Sequence, residues 1–172
     1  MPFQLQPILT GKLLVLKPLQ TSDFEVLYAA AADPCIWEQH PASDRYKREV
    51  FEENYFKTAI ESGGAFLITD LATGAVVGST RYYGYNQAES EIEIGWTFLT
   101  RSHWGGTYNH EMKRMMLDHA FQFVENVVFA IGINNIRSQR AVEKIGGQPV
   151  EVHPRKNETS VVYRITQKTR LI

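Results

Sequence analysis

Residues 91–112 read EIEIGWTFLTRSHWGGTYNHEM, and no other stretch restricts the fold of this chain as tightly. Ile92, Ile94, Trp96 and Phe98 alternate with Glu91, Glu93, Gly95 and Thr97. A period of two over that length predicts a strand with one packed face and one available face. The pattern breaks at Gly105 and Gly106 and resumes at helical spacing through Met112, Met115, Met116, Ala120 and Phe123. A strand that passes through a glycine turn into a helix gathers unpaired backbone N–H groups and the positive helix end at one point. Such a point accepts phosphate without a charged side chain.

The rest of the chain is sized to support one such unit. Its 172 residues, 44% hydrophobic and 22% charged, fit a single domain over 1–172 with a substantial core. A net charge of −1 with interspersed signs lacks the basic footprint of a nucleic-acid binder, and no direct nucleic-acid partner is expected. The single Cys35 excludes an internal disulfide framework and fits a reducing compartment. The first residues lack a signal-peptide pattern, and no apolar run approaches the ~20 residues needed to cross a bilayer. A cytoplasmic protein with no membrane partner is expected.

Taken in order, LLVLKPL reads as a first strand that stops at Pro18. Ser22 to Glu25 has capping-box spacing, which predicts a helix from Ser22 to about Ala32. Residues 34–46 carry two prolines and read as a loop of functional length. Helical spacing returns from Arg48 to Ser62 and ends at Gly63-Gly64. AFLITD and the run from Val76 to Tyr85 form a hairpin, extended by the strand at 91–99. After a helix over 107–124, Val127 to Ile131 is continuously apolar, as a strand buried on both faces would be. Strand, helix and strand make a βαβ crossover, expected to be right-handed. A shorter helix over 135–145 precedes two strands, 148–153 and 160–166, joined by the polar turn PRKNE. The predicted class is α+β: helices flank a mostly antiparallel sheet with a parallel pair at its centre.

Two polar features carry chemistry. The glycine turn matches neither GxGxxG nor GxxxxGK followed by Ser or Thr, which disfavours dinucleotides and nucleoside triphosphates. A pyrophosphate approached by backbone is the remaining fit. The second feature is NIRSQRAVEKIGG, residues 135–147. Ser138, Ala141, Val142 and Ile145 share one helix face, so Ser138 points inward with the apolar residues. Two readings stand side by side. Ser138 either serves chemistry or bonds a backbone group in its own first turn, and Asn135 either binds a ligand or caps the helix.

Together, EIGWTFLTRSHWGGTYNHEM and NIRSQRAVEKIGG resemble the GCN5-related N-acetyltransferase (GNAT) superfamily. The nearer similarity is to its ribosomal-protein-alanine and serine acetyltransferase (RimJ/RimL-like) branch. The pattern N-x-x-S-x-x-x-x-E-K-x-G, here Asn135, Ser138, Glu143, Lys144 and Gly146, is the most specific piece. LTGKLLVLKPLQTSD and VVYRIT look like the first and last strands of that branch. The resemblance implies acetyl-CoA as donor and an amine as acceptor, a protein N-terminus or a small molecule, with a homodimer possible. A non-catalytic acyl-CoA-binding or sensing module is the alternative, and an interaction protein without a coenzyme site is a further one.

The resemblance also assigns residues. Trp96, Thr97, Phe98 and Leu99 would lend their main chain to the pantetheine arm. Trp104, Gly105, Gly106, Thr107, Tyr108 and Asn109 would wrap the pyrophosphate. The family's turn opens on Arg or Gln and closes on Gly or Ala, where this chain has Ser102 and Thr107. A β-branched residue tolerates positive φ poorly, so the bend is expected at Gly106 or the phosphate site is altered. Glu93, with Glu91 second, is the implied base, placed on the same strand face as Thr97. A backbone N–H near Phe98 is the implied oxyanion donor. Ser138 would meet the departing sulfur and Asn135 the pantetheine amides. Arg101, Arg137 or Arg140 would meet the adenosine phosphates. Trp37, Glu38, Gln39, His40 and Tyr46 would line the acceptor side, joined by Arg81, Tyr82 and Tyr83. The five histidines lack ligand spacing, and no metal is expected.

Overall fold

In the computed structural model, which describes residues 2–155 and 158–172, a two-residue strand β1 (Leu9–Thr10) pairs with β2 (Leu14–Pro18). β2 is the apolar run that stops at Pro18, as expected. The first helix starts later than Ser22. A 3-10 turn (Thr21–Asp23) precedes α1 (Phe24–Ala31), because the Asp23 carboxylate, rather than Glu25, accepts the Gln20 N–H at 2.8 Å. The segment 34–46 is not all loop. Asp33 accepts the Cys35 N–H at 3.0 Å, Pro34 takes the first helical position, and a short helix α2 (Pro34–Trp37) follows. The helical stretch expected over 48–62 is α3 (Arg48–Phe51), a π-helical turn (Glu52–Phe56) and α4 (Lys57–Ser62), closed by left-handed Gly63.

β3 (Ala65–Asp70), β4 (Val76–Asn86) and β5 (Glu91–Leu99) form the expected meander. α5 (Thr107–Ala120), somewhat shorter than expected, leads to β6 (Asn126–Gly132), which runs parallel to β5. α6 (Ile136–Glu143), β7 (Gln148–Arg155) and β8 (Glu158–Thr166) complete the chain. The eight-stranded sheet has the order β1-β2-β3-β4-β5-β6-β8-β7, with β8 inserted between β6 and β7. The α+β class and the central parallel pair are as the sequence predicts. The PRKNE turn includes 156 and 157, which lie outside the described residues.

Apolar layers cover both faces of the sheet, since Phe66 and Ile68 of β3 enter one cluster and Ala65 and Leu67 the other. On one face Ile92, Ile94, Val127 and Phe129 pack against Met112 and Met116 of α5. On the other, Trp37, Phe51, Tyr55 and Phe98 pack with Leu27 of α1. Each fully buried side chain of this size contributes about 1.5–3 kcal/mol of transfer free energy.

β5 does not keep one register. Ser79 lies opposite Phe98 but Arg81 opposite Gly95, so β5 carries one extra residue against β4. Trp96 absorbs it at φ 54°, in the left-handed region. This bulge corrects the simple alternation. Ile92 and Ile94 keep their shared face, but Phe98 moves to the α1 side and Leu99 joins Ile92 and Ile94. The parallel pairing also stops early. It runs only from Glu91 opposite Asn126 to Glu93 opposite Val128, while β5 continues to Leu99 and β6 to Gly132. Beyond Glu93 the central strands part into a fork.

Candidate active site

The glycine turn stands at the end of the strand that bounds this fork. Gly105 and Gly106 adopt φ 101° and 105°, and an added Cβ at either would meet nothing within 4 Å. Backbone conformation, not crowding, requires glycine here. Thr107 is the first residue of α5 and carries no positive φ, so the bend falls on the two glycines. His110 is the first of the helix to donate inward, to Gly106 O at 2.7 Å. Among the described residues, no chain acceptor meets the N–H groups of Gly105, Gly106, Thr107, Tyr108 or Asn109. These are the unpaired donors expected of a phosphate seat.

The turn is held from several sides. His103 Nε2 lies 2.8 Å from Asp70 Oδ2, and its Nδ1 lies 2.9 Å from the hydroxyls of Thr100 and Ser102. The His103 hydrogen bond, helped by the Ala72 N–H, holds the Asp70 carboxyl below its ordinary pKa. Trp104 donates Nε1 to Leu99 O at 2.9 Å, and Arg101 pairs with Asp33 at the start of α2. A hollow of about 380 Å³ adjoins the helix start, lined by Lys12, Leu13, Thr107, His110, Glu111 and Arg114. A larger one of about 460 Å³, among Phe24, Arg48 and Phe56, involves none of the expected site residues.

The backbone edge of β5 faces the fork beyond the bulge. Thr100 donates to Val77 O at 2.8 Å and Phe98 sits opposite Ser79, so the amides of Phe98 and Thr100 belong to the β4 ladder. Alternation then turns the amides of Thr97 and Leu99 toward the gap. The Phe98 N–H itself, near which an oxyanion donor is expected, is thus committed to the β4 ladder, and the amides left toward the gap are those of its neighbours. Tyr55 Oη donates to Trp96 O and pins the bulge. Lys113 of α5 donates Nζ to Thr97 Oγ1 at 3.2 Å and lies 5.0 Å from the Phe129 ring of β6. Its position was open to a sequence reading: Lys113, Met116 and Ala120 share a buried stripe at helical spacing.

The two carboxylates separate. Glu93 is half-buried where β5–β6 pairing ends, and its Oε1 accepts from Tyr83 Oη and from the Ala130 N–H, the latter at 3.3 Å. Gly95 leaves room for the Tyr83 ring, whose hydroxyl would lie 3.1 Å from a Cβ there. Glu91 instead accepts from Arg164 at 3.1 Å. The expectation that both acids share the Thr97 face fails, because the bulge sends Thr97 to the α5 side, onto Lys113 and Thr80.

At α6, Asn135 caps the helix, its Oδ1 accepting the Ser138 N–H at 3.3 Å. The Ser138 hydroxyl, half-buried, makes no hydrogen bond within the chain among the described residues. Gln39 accepts the Arg137 N–H at 3.3 Å, Arg137 donates to Ile36 O at 3.0 Å, and its guanidinium lies 4.1 Å from the Trp104 ring. α2, the glycine turn and the start of α6 thus meet at one mouth. Arg101 and Arg137, expected on phosphates, are engaged with Asp33 and Trp104, while Arg140 is exposed.

On the opposite side of β5, Trp37 packs within the apolar layer of Phe51, Tyr55 and Phe98. It is 2% exposed and donates Nε1 to Ala31 O at 2.8 Å. Tyr82 also leaves the expected group, since it packs with the α5 layer and bonds Met116 O. Glu38 is exposed, and Tyr46 presents its carbonyl to Tyr28 Oη at 3.0 Å. His40 and Arg81 remain, with Trp96 half-buried between Arg81 and Arg45. Arg45 carried no sequence signal, as one charge in an irregular polar stretch. Among the described residues, no group of three His, Cys, Asp or Glu gathers as a metal site. No helix among them is long and apolar enough to cross a membrane.

Comparison with known proteins fits this geometry. Solved structures match over nearly the whole chain. A GCN5-related N-acetyltransferase from Brucella melitensis superposes with TM-score 0.86 at 19% identity, covering 98% of this chain and 82% of that one. RimJ of Mycobacterium smegmatis, in complex with CoA-disulfide, gives 0.69 at 18%, covering 90% and 82%. A spermidine N-acetyltransferase from Vibrio cholerae, in complex with CoA and spermine, gives 0.69 at 14%, covering 92% and 98%. No curated protein shows a significant match. The model of the acetyltransferase (GNAT) domain matches residues 14–148, most of the chain and all of the fork, glycine turn and α6; the protein belongs to that family of N-acetyltransferases.

Proposed function

We propose that the protein moves an acetyl group from acetyl-CoA to a primary amine by direct attack, with both substrates bound together. One observation carries the reading: unpaired N–H groups at Gly105–Asn109 stand at the end of a strand edge whose Thr97 and Leu99 amides face an open fork. The first suits a pyrophosphate, and the second suits the amides of a pantetheine arm. Acetyl-CoA supplies the activated acyl group. The chain supplies orientation and proton transfer. Glu93, steadied by Tyr83 and Ala130, takes the proton from the amine. The Leu99 and Thr97 amides polarise the carbonyl oxygen. The uncommitted Ser138 hydroxyl hydrogen-bonds the departing thiolate, and the Asn135 side-chain amide steadies the arm. Glu91, engaged with Arg164, is the second candidate for base. The motif from Asn135 to Gly146 favours the RimJ/RimL-like branch, so a protein N-terminus belongs among the first acceptors tried.

Thiol release from acetyl-CoA across an amine and peptide panel tests this. Glu93→Gln is expected to lower turnover about 100-fold or more while acetyl-CoA affinity holds within a few-fold. Unchanged turnover in that variant, with loss in Glu91→Gln, would reverse the two assignments. Coenzyme binding without release on any acceptor would sink the transferase reading.

A further inference from the structure

Two guanidinium groups lie side by side between the sheet and α1–α4, and among the described residues neither meets a carboxylate. Arg81 is 3% exposed and Arg45 7%. Arg81 donates to Tyr55 O at 3.1 Å and to Thr58 Oγ1 at 3.4 Å, and its Cζ lies 4.1 Å from the Trp96 ring centroid. Arg45 Cζ lies 4.8 Å from that same ring, and both groups overlie Tyr55, at 5.5 and 5.2 Å. Like charges sharing two rings repel. Burial, with the Arg81 charge adding to it, pulls Arg45 down to about 10, so it stays charged at neutral pH. Asp44, whose charge Arg45 feels, is exposed and makes no ion pair with it. A buried charge without a counter-charge is costly to keep.

The hydrogen bonds narrow what is missing. His40 Nδ1 accepts the Ala42 N–H at 3.0 Å. Burial lowers the His40 pKa to about 3, so the ring is neutral, and with Nδ1 accepting from Ala42 its proton is assigned to Nε2. That N–H faces Arg45 Nη1 across 3.3 Å, one donor against another. Among the described residues, Arg45 Nε also has no hydrogen-bond partner although it is buried. Buried donors that face only donors lack an acceptor, and the acceptor that also balances the charge is an anion.

We propose that Arg45, Arg81 and His40 receive an anionic group of the acetyl acceptor, which is then a primary amine that also carries a carboxylate or a phosphate. The proposal rests on the transferase reading, because Trp96, the residue both arginines stack on, is the bulge that opens the strand edge to the fork. A polyamine would bring positive charge against two guanidiniums and is selected against.

The test pairs acceptors with and without the anionic group: an α-amino acid with its carboxamide, and an aminoalkyl phosphate with the matching amino alcohol. Thiol release from acetyl-CoA should give the anionic member of at least one pair a kcat/KM about tenfold to a hundredfold higher, the size of one charge-assisted hydrogen bond. The pair that responds tells carboxylate from phosphate. Arg45→Met keeps an apolar stem beside Trp96 and should bring that ratio close to one, with Arg45→Lys restoring part of it. Equal rates within both pairs, or a preference that survives Arg45→Met, overturn the proposal and leave the arginines as packing. Titration with inorganic phosphate and with acetate, followed by tryptophan fluorescence, needs no coenzyme. A saturable change lost in Arg45→Met supports the site, and its absence in the wild type counts against it. If acetyl-CoA neither binds nor releases thiol, the transferase reading falls while the titration still judges the anion site.

Discussion

Replacing Lys113 by methionine should make the protein more stable at neutral and mildly acidic pH. Lys113 is 5% exposed, with Thr97 Oγ1 as its hydrogen-bond partner and the Phe129 ring beside it. Burial alone lowers its pKa from 10.5 to about 7. Between those values the unfolded chain holds a proton that the folded chain has released. Stability attributable to Lys113 therefore rises with pH through that window and is lowest below about 7. The full span corresponds to roughly 5 kcal/mol, and relaxation around a buried charge brings the expected cost to about 2–5 kcal/mol. Methionine fills a similar volume and forfeits the bond to Thr97, worth about 1 kcal/mol. The net gain for Lys113→Met is then about 1–4 kcal/mol near pH 6; it falls as the pH rises and ends about 1 kcal/mol in favour of wild type near the free-lysine value, where only the lost bond to Thr97 remains. Urea unfolding of both proteins across that range, read as a difference, cancels the titration of every other group. A difference that does not vary with pH, or a wild type more stable than the variant near pH 6, would refute the reasoning.

Other expectations are brief. Gly106→Val forces a β-branched residue to φ 105° with no atom nearby to clash, so the cost is backbone strain of about 1–3 kcal/mol. Acetyl-CoA affinity measured by calorimetry should fall about tenfold or more while the fold persists. Glu111 accepts the N–H groups of Lys12, Leu13 and Leu14 at 2.7, 2.8 and 2.9 Å, so Glu111→Ala leaves these amides without their acceptor. A loss of about 2–4 kcal/mol is expected in urea unfolding. Ser138→Ala should slow single-turnover acetyl transfer about tenfold or more, and an unchanged rate would return Ser138 to a structural role.

Elements whose packing repeats at a fixed period were legible in the sequence. The alternation of Ile92 and Ile94 and the stripe of Met112, Met116 and Ala120 both report burial on one side of a regular element, and both are fully buried. The glycine turn was legible because positive φ leaves a chemical mark, here two adjacent glycines. What failed was whatever depends on a single irregular residue. Trp96 takes positive φ without being glycine, so nothing in the letters marks the bulge, and the faces of Trp96, Thr97 and Phe98 were misread. The helix α2 was missed because its cap is one Asp33 carboxylate in a stretch that otherwise reads as turn. Arg45 was invisible for a different reason. Its burial is set by Trp37, Tyr55 and Trp96, three rings brought together from distant parts of the chain.

The bulge at Trp96 ties the two halves of the site together. A non-glycine residue at φ 54° costs on the order of 1–3 kcal/mol and persists only where its surroundings impose it. Tyr55 imposes it from below by holding the Trp96 carbonyl, while Arg45 and Arg81 hold the ring. Released from these contacts, β5 would regain regular pairing with β4, and Thr97 and Leu99 would exchange their direction with Phe98. The edge facing the fork would then lose the two amides on which the coenzyme reading depends. Tyr55→Phe separates the cases, since it removes one hydroxyl and little packing. It should weaken acetyl-CoA binding several-fold even though Tyr55 lies in the apolar layer beneath the sheet rather than at the fork. Coenzyme affinity equal to wild type in that variant would show that the ring contacts alone maintain the bulge.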